Sequence, residues 1–280
     1  MSDWRKKYIA GHLKNSLDIS IIFTLILLYF FSLVPSPLSF FLKIFIVVGL
    51  ITKIAWDYLF WAITTIILAV SHLPDWYTID NHIYLMIYWS LAMSIALYSS
   101  NQQVTLNKSA SFLVGLCFLF ATFWKVITPE FMNGSFFEYI LAGGDSRFKA
   151  FSVLLTDMNY QKMEHNQSAI NSVNDNLLID HSGKLIISSI LPIKAQFLTY
   201  WTVIIEGLIG LLFLFSFKNI SNSFKHYMLL LFIVTTYPIA SVTTFGLLLV
   251  CIGISQAETK KIRFLYSIAF SFLIIINFLT

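Results

Sequence analysis

The chain has 280 residues, of which 58% are hydrophobic and only 11% charged, with a net charge of +4. A soluble domain carries about 25% charged residues, so this chain lacks the charge to clothe a water-facing surface, a need that a bilayer solvent removes. The small, scattered positive charge gives no footing for a nucleic-acid partner and fits Lys and Arg residues flanking membrane helices. Arg5, Lys6, Lys7 and Lys14 precede a first apolar run, Ile19–Val34. Val34-Pro35-Ser36-Pro37 offers no small-x-small cleavage site, which predicts an uncleaved first transmembrane helix with a cytoplasmic N-terminus.

The second apolar run, Leu38–Ser71, would be about 50 Å long as one helix, against about 30 Å of hydrocarbon. Lys53 and Asp57 interrupt it at i,i+4 spacing, and a tight hairpin near Thr52-Lys53 would divide it in two. Further runs follow at His82–Ser99 and Ala110–Thr128, then, after a polar stretch, at Phe197–Phe217, His226–Ile254 and Ile262–Phe278. Pro238 lies inside the sixth run and predicts a kink in a single helix over Tyr227–Ile254. From about 143 to 191 the chain turns polar and Asn-rich, with Asn159, Asn166, Asn171, Asn174 and Asn176. That length predicts an extramembrane segment, either an ordinary loop or a lid over a pocket at the membrane face. With the hairpin the count is eight crossings, and without it seven. Helix length favours eight and the distribution of Lys and Arg favours seven. The expected fold is all-α, a polytopic transmembrane helix bundle of about eight helices. It forms a single integral membrane domain over 1–280, with the polar segment outside the cytoplasm and the C-terminus within it.

Charged groups inside apolar spans cost about 2.5–3.5 kcal/mol each on insertion scales and so mark candidate sites. Glu206 lies near the middle of Phe197–Phe217 and should face the bundle interior, lining a pocket or bonding a neighbouring helix. Lys125 closes the span Ala110–Thr128 beside Trp124. His82 opens the preceding span, so a short connection makes the two helices antiparallel and brings His82 and Lys125 to one membrane face, with Asp80, Asn81 and Glu130. Such a cluster either handles protons, with Lys125 as base, or belongs to an interfacial belt with Trp76, Tyr77 and Tyr84. Cys117 and Cys251 both lie in apolar runs and give no disulfide framework. No phosphate-binding glycine loop, zinc-type His/Cys spacing or GxSxG elbow is present, so no metal site is expected. Asn133-Gly-Ser and Asn166-Gln-Ser match the short glycosylation pattern.

The stretch Asp80-Asn81-His82-Ile83-Tyr84-Leu85 resembles the Asn-His-x-Tyr-Leu signature of the vitamin K-dependent gamma-carboxylase and the related HTTM (horizontally transferred transmembrane) family. Gly49-Leu50-Ile51-Thr52-Lys53 is similar to that family's Gly-Leu-x-x-Arg hairpin. Phe120-Ala121-Thr122-Phe123-Trp124-Lys125, trailed by Pro129 to Gly134, resembles its Ala-Gly-x-x-Lys segment, and Thr199–Leu212 and Thr244–Gly253 resemble its later helices. The resemblance spans roughly residues 49–255. It implies a quinone or hydroquinone as cofactor, Lys125 as the base, His82 as its assistant and Asn81 beside them; Glu206, from its place in its span, and Trp124, next to Lys125, are the further candidates for binding the substrate. Trp124 stands where the carboxylase has the second lysine of its pair, and the chain ends soon after the helical bundle, without the large lumenal domain.

Two functional expectations result. The first is a multi-pass enzyme of the bacterial inner membrane, acting through Lys125 and His82 on a quinone-like or other lipid-soluble substrate, or on a peptide being matured. The alternative is a non-enzymatic accessory or assembly subunit of a membrane complex, its polar cluster joining helices. Membrane lipid is a partner in either case.

Overall fold

Long apolar runs without enough β-branched alternation for strands settle into helices, and helices account for all the regular structure among the described residues. The computed structural model describes residues 15–31, 38–74, 76–144, 148–174, 185–215, 222–237 and 242–279. Among these lie thirteen α-helices: α1 Ser16–Phe30, α2 Leu38–Thr52, α3 Tyr58–Ser71, α4 Asn81–Tyr98, α5 Gln102–Ile127, α6 Pro129–Met132, α7 Ser135–Tyr139, α8 Lys149–Leu155, α9 Tyr160–Asn174, α10 Leu191–Leu214, α11 Asn222–Thr236, α12 Thr243–Ser255 and α13 Lys260–Leu279. Three of them are long and apolar enough to cross a membrane, namely α5, α10 and α13 over Lys260–Phe278. Shorter apolar helices are α1, α2, α3 and α12. The N-terminal basic cluster, Val34 to Pro37 and Pro238 lie outside the described residues.

The chain divides into two compact units, where one domain was expected. The first comprises residues 1–117, 212–234 and 242–280, and the second residues 118–211 and 235–241. Helices α5 and α10 each contribute to both.

In the first unit α12 is the central element. Gly246 through Ser255 are all buried, as a helix apolar on every side requires. It packs against α1, α13 and α4. Small hydroxyl residues at i, i+4 and i+8 let α1 approach it. Ser16 donates to the carbonyl of Ala257 at 2.6 Å and Ser20 to that of Cys251 at 2.8 Å, while Thr24 accepts from the Trp89 indole at 3.1 Å. Each such bond satisfies a polar group where no water enters. The free cysteines are Cys251, buried in this core, and Cys117, half-buried.

The expected hairpin forms. α2 ends at Thr52, Lys53 adopts a left-handed φ of 66°, and a single 3₁₀ turn over Ile54–Trp56 leads to Asp57. Asp57 caps α3 by accepting from the amide of Leu59 at 2.8 Å, a local use of its carboxylate that needs no pairing with Lys53. α3 and α4 then pack as an antiparallel pair, Ser94 donating to the carbonyl of Tyr58 at 2.9 Å.

The single kinked helix expected over Tyr227–Ile254 is instead two helices, α11 and α12, running in opposite directions. Lys225, at the start of α11, lies 3.4 Å from Gln256, just past the end of α12. His226 bonds Tyr266 of α13 at 3.1 Å, and Gly253 makes room for that same tyrosine. α13 runs parallel to α1, since Phe23 stacks on Phe270 at 4.1 Å and Phe30 meets Phe278 at 6.3 Å. The starts of α1, α5, α11 and α13 and the ends of α4 and α12 therefore gather at one end of this unit.

The second unit corrects the picture of 143–191 as a loop. This stretch folds into α8 and α9 and closes a small core of Leu141, Met158, Met163, Leu191 and Ala195 with Phe151 and Leu155. Asn166, fully buried, is its fastener. Its amide donates to the carbonyls of Ala142 at 2.7 Å and Ile186 at 2.8 Å, and its oxygen accepts from the amide of Ile186 at 2.7 Å. A side chain so committed cannot present itself to a glycosyltransferase. Gly143 has a φ of +114°, and a Cβ there would meet the carbonyl of Met163 at 3.1 Å. Asp157, exposed, accepts from the Ser188 hydroxyl, and that bond holds its carboxyl below the usual aspartate range.

Candidate functional site

The second unit joins the two charges that the sequence places in separate helices. α5 and α10 pack antiparallel along a seam of small residues. A Cβ on Gly210 would come within 3.0 Å of the Leu119 amide nitrogen, and one on Gly207 would touch Thr122 at 3.4 Å. Only backbones this close let the next pair along the seam meet. There the Lys125 ammonium forms a hydrogen-bonded ion pair with the Glu206 carboxylate. Glu206 is 6% exposed, and the Lys125 side chain retains 23% of its accessible surface. One member is therefore sealed in the seam while the other reaches outward. The pair cancels two charges that would each be costly among apolar helices.

Aromatic rings close over the ammonium. After α5 ends, Pro129 starts α6, where its missing N–H costs nothing. α6 then presents Phe131, whose ring centroid lies 5.5 Å from Lys125 Nζ. The negative face of an aromatic ring attracts a cation at that distance. Phe131 is buttressed by Phe136 and Phe137 of α7 at 5.3 and 5.6 Å. The short α6–α7 segment is tied back to α10 by Gln196, which donates to the carbonyl of Met132 at 3.0 Å. Gly134 completes this turn with a φ of +88°, where a side chain would be strained and would press on Gln196.

Trp124 is 68% exposed, so the turn of α5 that points Lys125 at Glu206 points Trp124 outward. Glu130 is exposed. His82 and Asn81 open α4 in the first unit. His82 Nε2 lies 3.4 Å from the Thr244 hydroxyl and its ring stacks on Phe245, while Nδ1 is 3.9 Å from the exposed carboxylate of Asp80. Asn81 is exposed. Within the first unit His82 thus fastens α4 to the start of α12. Among the described residues no group of three or more His, Cys, Asp or Glu side chains could hold a metal ion.

Sequence reasoning weighed Lys125 and Glu206 separately and missed their partnership. The available signal was that two long apolar helices each carry one inward charge, of opposite sign. No protein-family model, no curated protein and no solved structure matches the chain.

Proposed function

We propose that the chain is a polytopic integral membrane protein in which Lys125 and Glu206 form a proton-transfer site for a lipid-soluble, quinone-like substrate. Support for the membrane comes from three helices of spanning length and from the apolar side chains the fold leaves outside. Ile51, Ile66, Phe120, Trp124, Ile193 and Ile204 are each more than 60% exposed. On this reading α1 to α5 and α10 to α13 make nine passes, two of them being the short helices α11 and α12 that replace the one kinked helix of an eight-pass count. The end of the first unit where α5, α11 and α13 begin carries Lys108, Lys225, Lys260, Lys261 and Arg263. The positive-inside rule places that end, and the start of α1, in the cytoplasm.

The observation that carries the site is an ion pair with one sealed and one accessible member, set under an aromatic face. Transfer of the ammonium proton to Glu206 leaves a neutral amine on Lys125 beside a carboxylic acid. The amine then accepts the proton of a substrate hydroxyl, as a hydroquinone would offer, leaving an oxyanion against the new ammonium. Phe131 is buried under the ammonium, and the exposed Phe136 packed on it offers an apolar surface on which such a ring would lie. The reading uses Lys125 and Glu206 and requires nothing of His82.

The test is binding of decylubiquinone and its hydroquinone to the detergent-solubilised full chain, followed by quenching of tryptophan fluorescence. Saturable binding that weakens at least tenfold in Lys125→Gln and Glu206→Gln is expected. Lack of saturable binding, or binding indifferent to both substitutions, overturns the proposal and leaves the pair as a joint between helices, as an accessory subunit would use it.

A further inference from the structure

A second polar site lies wholly within the first unit, to which Lys125 and Glu206 do not belong. Between the first turns of α5, the last turn of α10, the start of α11 and the residues after α12 there is a cavity of about 380 Å³. That is within the range of small-ligand sites and well above what a lone inorganic ion fills.

Its walls combine basic and aromatic side chains. On α5, Lys108, Ser111 and Phe112 fall at i, i+3 and i+4 and share one face. The Ser111 hydroxyl is turned to the carbonyl of Phe213, which it meets at 2.9 Å, so the end of α10 is anchored to α5. Phe213 and Phe112 give the cavity an apolar side, and Phe112 is 57% exposed at its mouth. Against them α11 brings Lys225, whose ammonium sits 5.1 Å above the Phe213 ring and 3.4 Å from the Gln256 side-chain amide oxygen Oε1. These contacts hold a flexible lysine in place before any ligand arrives. Among the described wall residues the one acid, Glu258, accepts from the Asn222 amide at 2.9 Å, and two lysines stand against it. That leaves the cavity with an excess of positive charge. A site that sets two ammonium groups beside two aromatic rings suits an amphiphile with an anionic head.

The position agrees. The cavity opens at the end of the unit where Lys260, Lys261 and Arg263 start α13, the end assigned above to the cytoplasmic face. Anionic lipids are concentrated there, and basic pockets between membrane helices select their head groups. We propose that this cavity binds the head group of an anionic phospholipid, its phosphate taken by Lys108 and Lys225 and its glycerol end lying against Phe112 and Phe213. The inference rests on the membrane reading and is independent of the Lys125–Glu206 pair.

The experiment titrates the detergent-solubilised full chain with dihexanoyl-phosphatidylglycerol, dihexanoyl-phosphatidylcholine or inorganic phosphate and follows the thermal unfolding midpoint. Phosphatidylglycerol should raise the midpoint saturably, with phosphatidylcholine and phosphate giving no comparable rise. The double variant Lys108→Gln/Lys225→Gln should weaken the apparent phosphatidylglycerol affinity at least tenfold, and Lys108→Arg/Lys225→Arg should restore it. Should the glutamine variant unfold, Lys108→Glu alone, at an exposed position, must still weaken binding. Equal response to both lipids, indifference to the substitutions, or an equal response to phosphate alone would each overturn the proposal, the last by identifying a free anion as the ligand. Quinone binding lost with this lipid response intact would fail the proton-transfer reading and not this one.

Discussion

Glu206 shows what burial does to a single residue. A carboxylate 6% exposed among apolar helices is tolerable because Lys125 meets it. Removing one partner strands the other, and stranding a buried charge costs about 3–5 kcal/mol, whereas an apolar pair of similar volume is often neutral. Lys125 keeps some access to its surroundings, so stranding it by loss of Glu206 is expected toward the lower end of that range, and stranding the sealed Glu206 by loss of Lys125 toward the upper end. Lys125→Met and Glu206→Leu should therefore each lower the thermal midpoint in detergent, and the double variant should lie closer to the parent than either single. A double variant whose losses simply add would show that the pair contributes nothing as a pair. An interfacial lysine that merely reached the head groups would be replaceable at little cost, and the ion pair is the reason for the different expectation here.

Helices meet according to the size of the residues between them. The α5–α10 seam depends on Gly207 and Gly210, because Gly210 brings its own backbone against that of Leu119. A methyl group there would meet the Leu119 side chain at 2.8 Å, and moving that side chain aside still leaves the Leu119 amide nitrogen at 3.0 Å. Gly210→Ala should force the helices apart and cost about 1–3 kcal/mol. It should also weaken quinone binding, because Lys125 and Glu206 lie further along the same seam. Gly207→Ala, whose added carbon would meet Thr122 at ordinary contact distance, should be far milder. Comparing the two thermal midpoints checks this, and equal effects would mean that the seam is not the constraint. The α11–α12 pair follows another rule. Each helix is short, and what places them is the contact of their outer ends through Lys225 and Gln256 and of α12 with α1 and α13.

For the whole molecule, the direction of its helices sets which positions share a membrane face. Asn101 lies between α4 and α5 and Thr259 just before α13, at the same end of the first unit, while Tyr77 lies at the other end between α3 and α4. Cysteines placed at these three positions, in a background with Cys117 and Cys251 changed to serine, report the arrangement. Asn101→Cys and Thr259→Cys should react with an impermeant maleimide only when the cytoplasmic side is open, and Tyr77→Cys only from outside. A Thr259→Cys that labels with Tyr77→Cys would restore the single kinked helix, since that helix moves the start of α13 to the opposite face.

The sequence by itself determined the material of this protein. Low charge and long apolar runs specify apolar helices, three of them long enough to cross a membrane, and a helix is what satisfies the backbone in a bilayer. The break at Lys53 was equally legible, because one helix of that length exceeds the membrane. Glu206 and Lys125 could be singled out because charge in an apolar run is costly wherever it occurs. Their pairing was not legible, because a composition argument carries no register between helices eighty residues apart. Only tertiary packing decided it, through glycines that let two backbones close to contact. The same holds for α11 and α12, whose continuous hydropathy masks a reversal that packing against α1 and α13 imposes. It holds too for Asn166, which reads as a surface residue in a polar segment yet is buried where three backbone groups required a partner. Composition reports the medium in which a chain is stable, whereas the approach of particular side chains depends on distances that only the folded backbone sets.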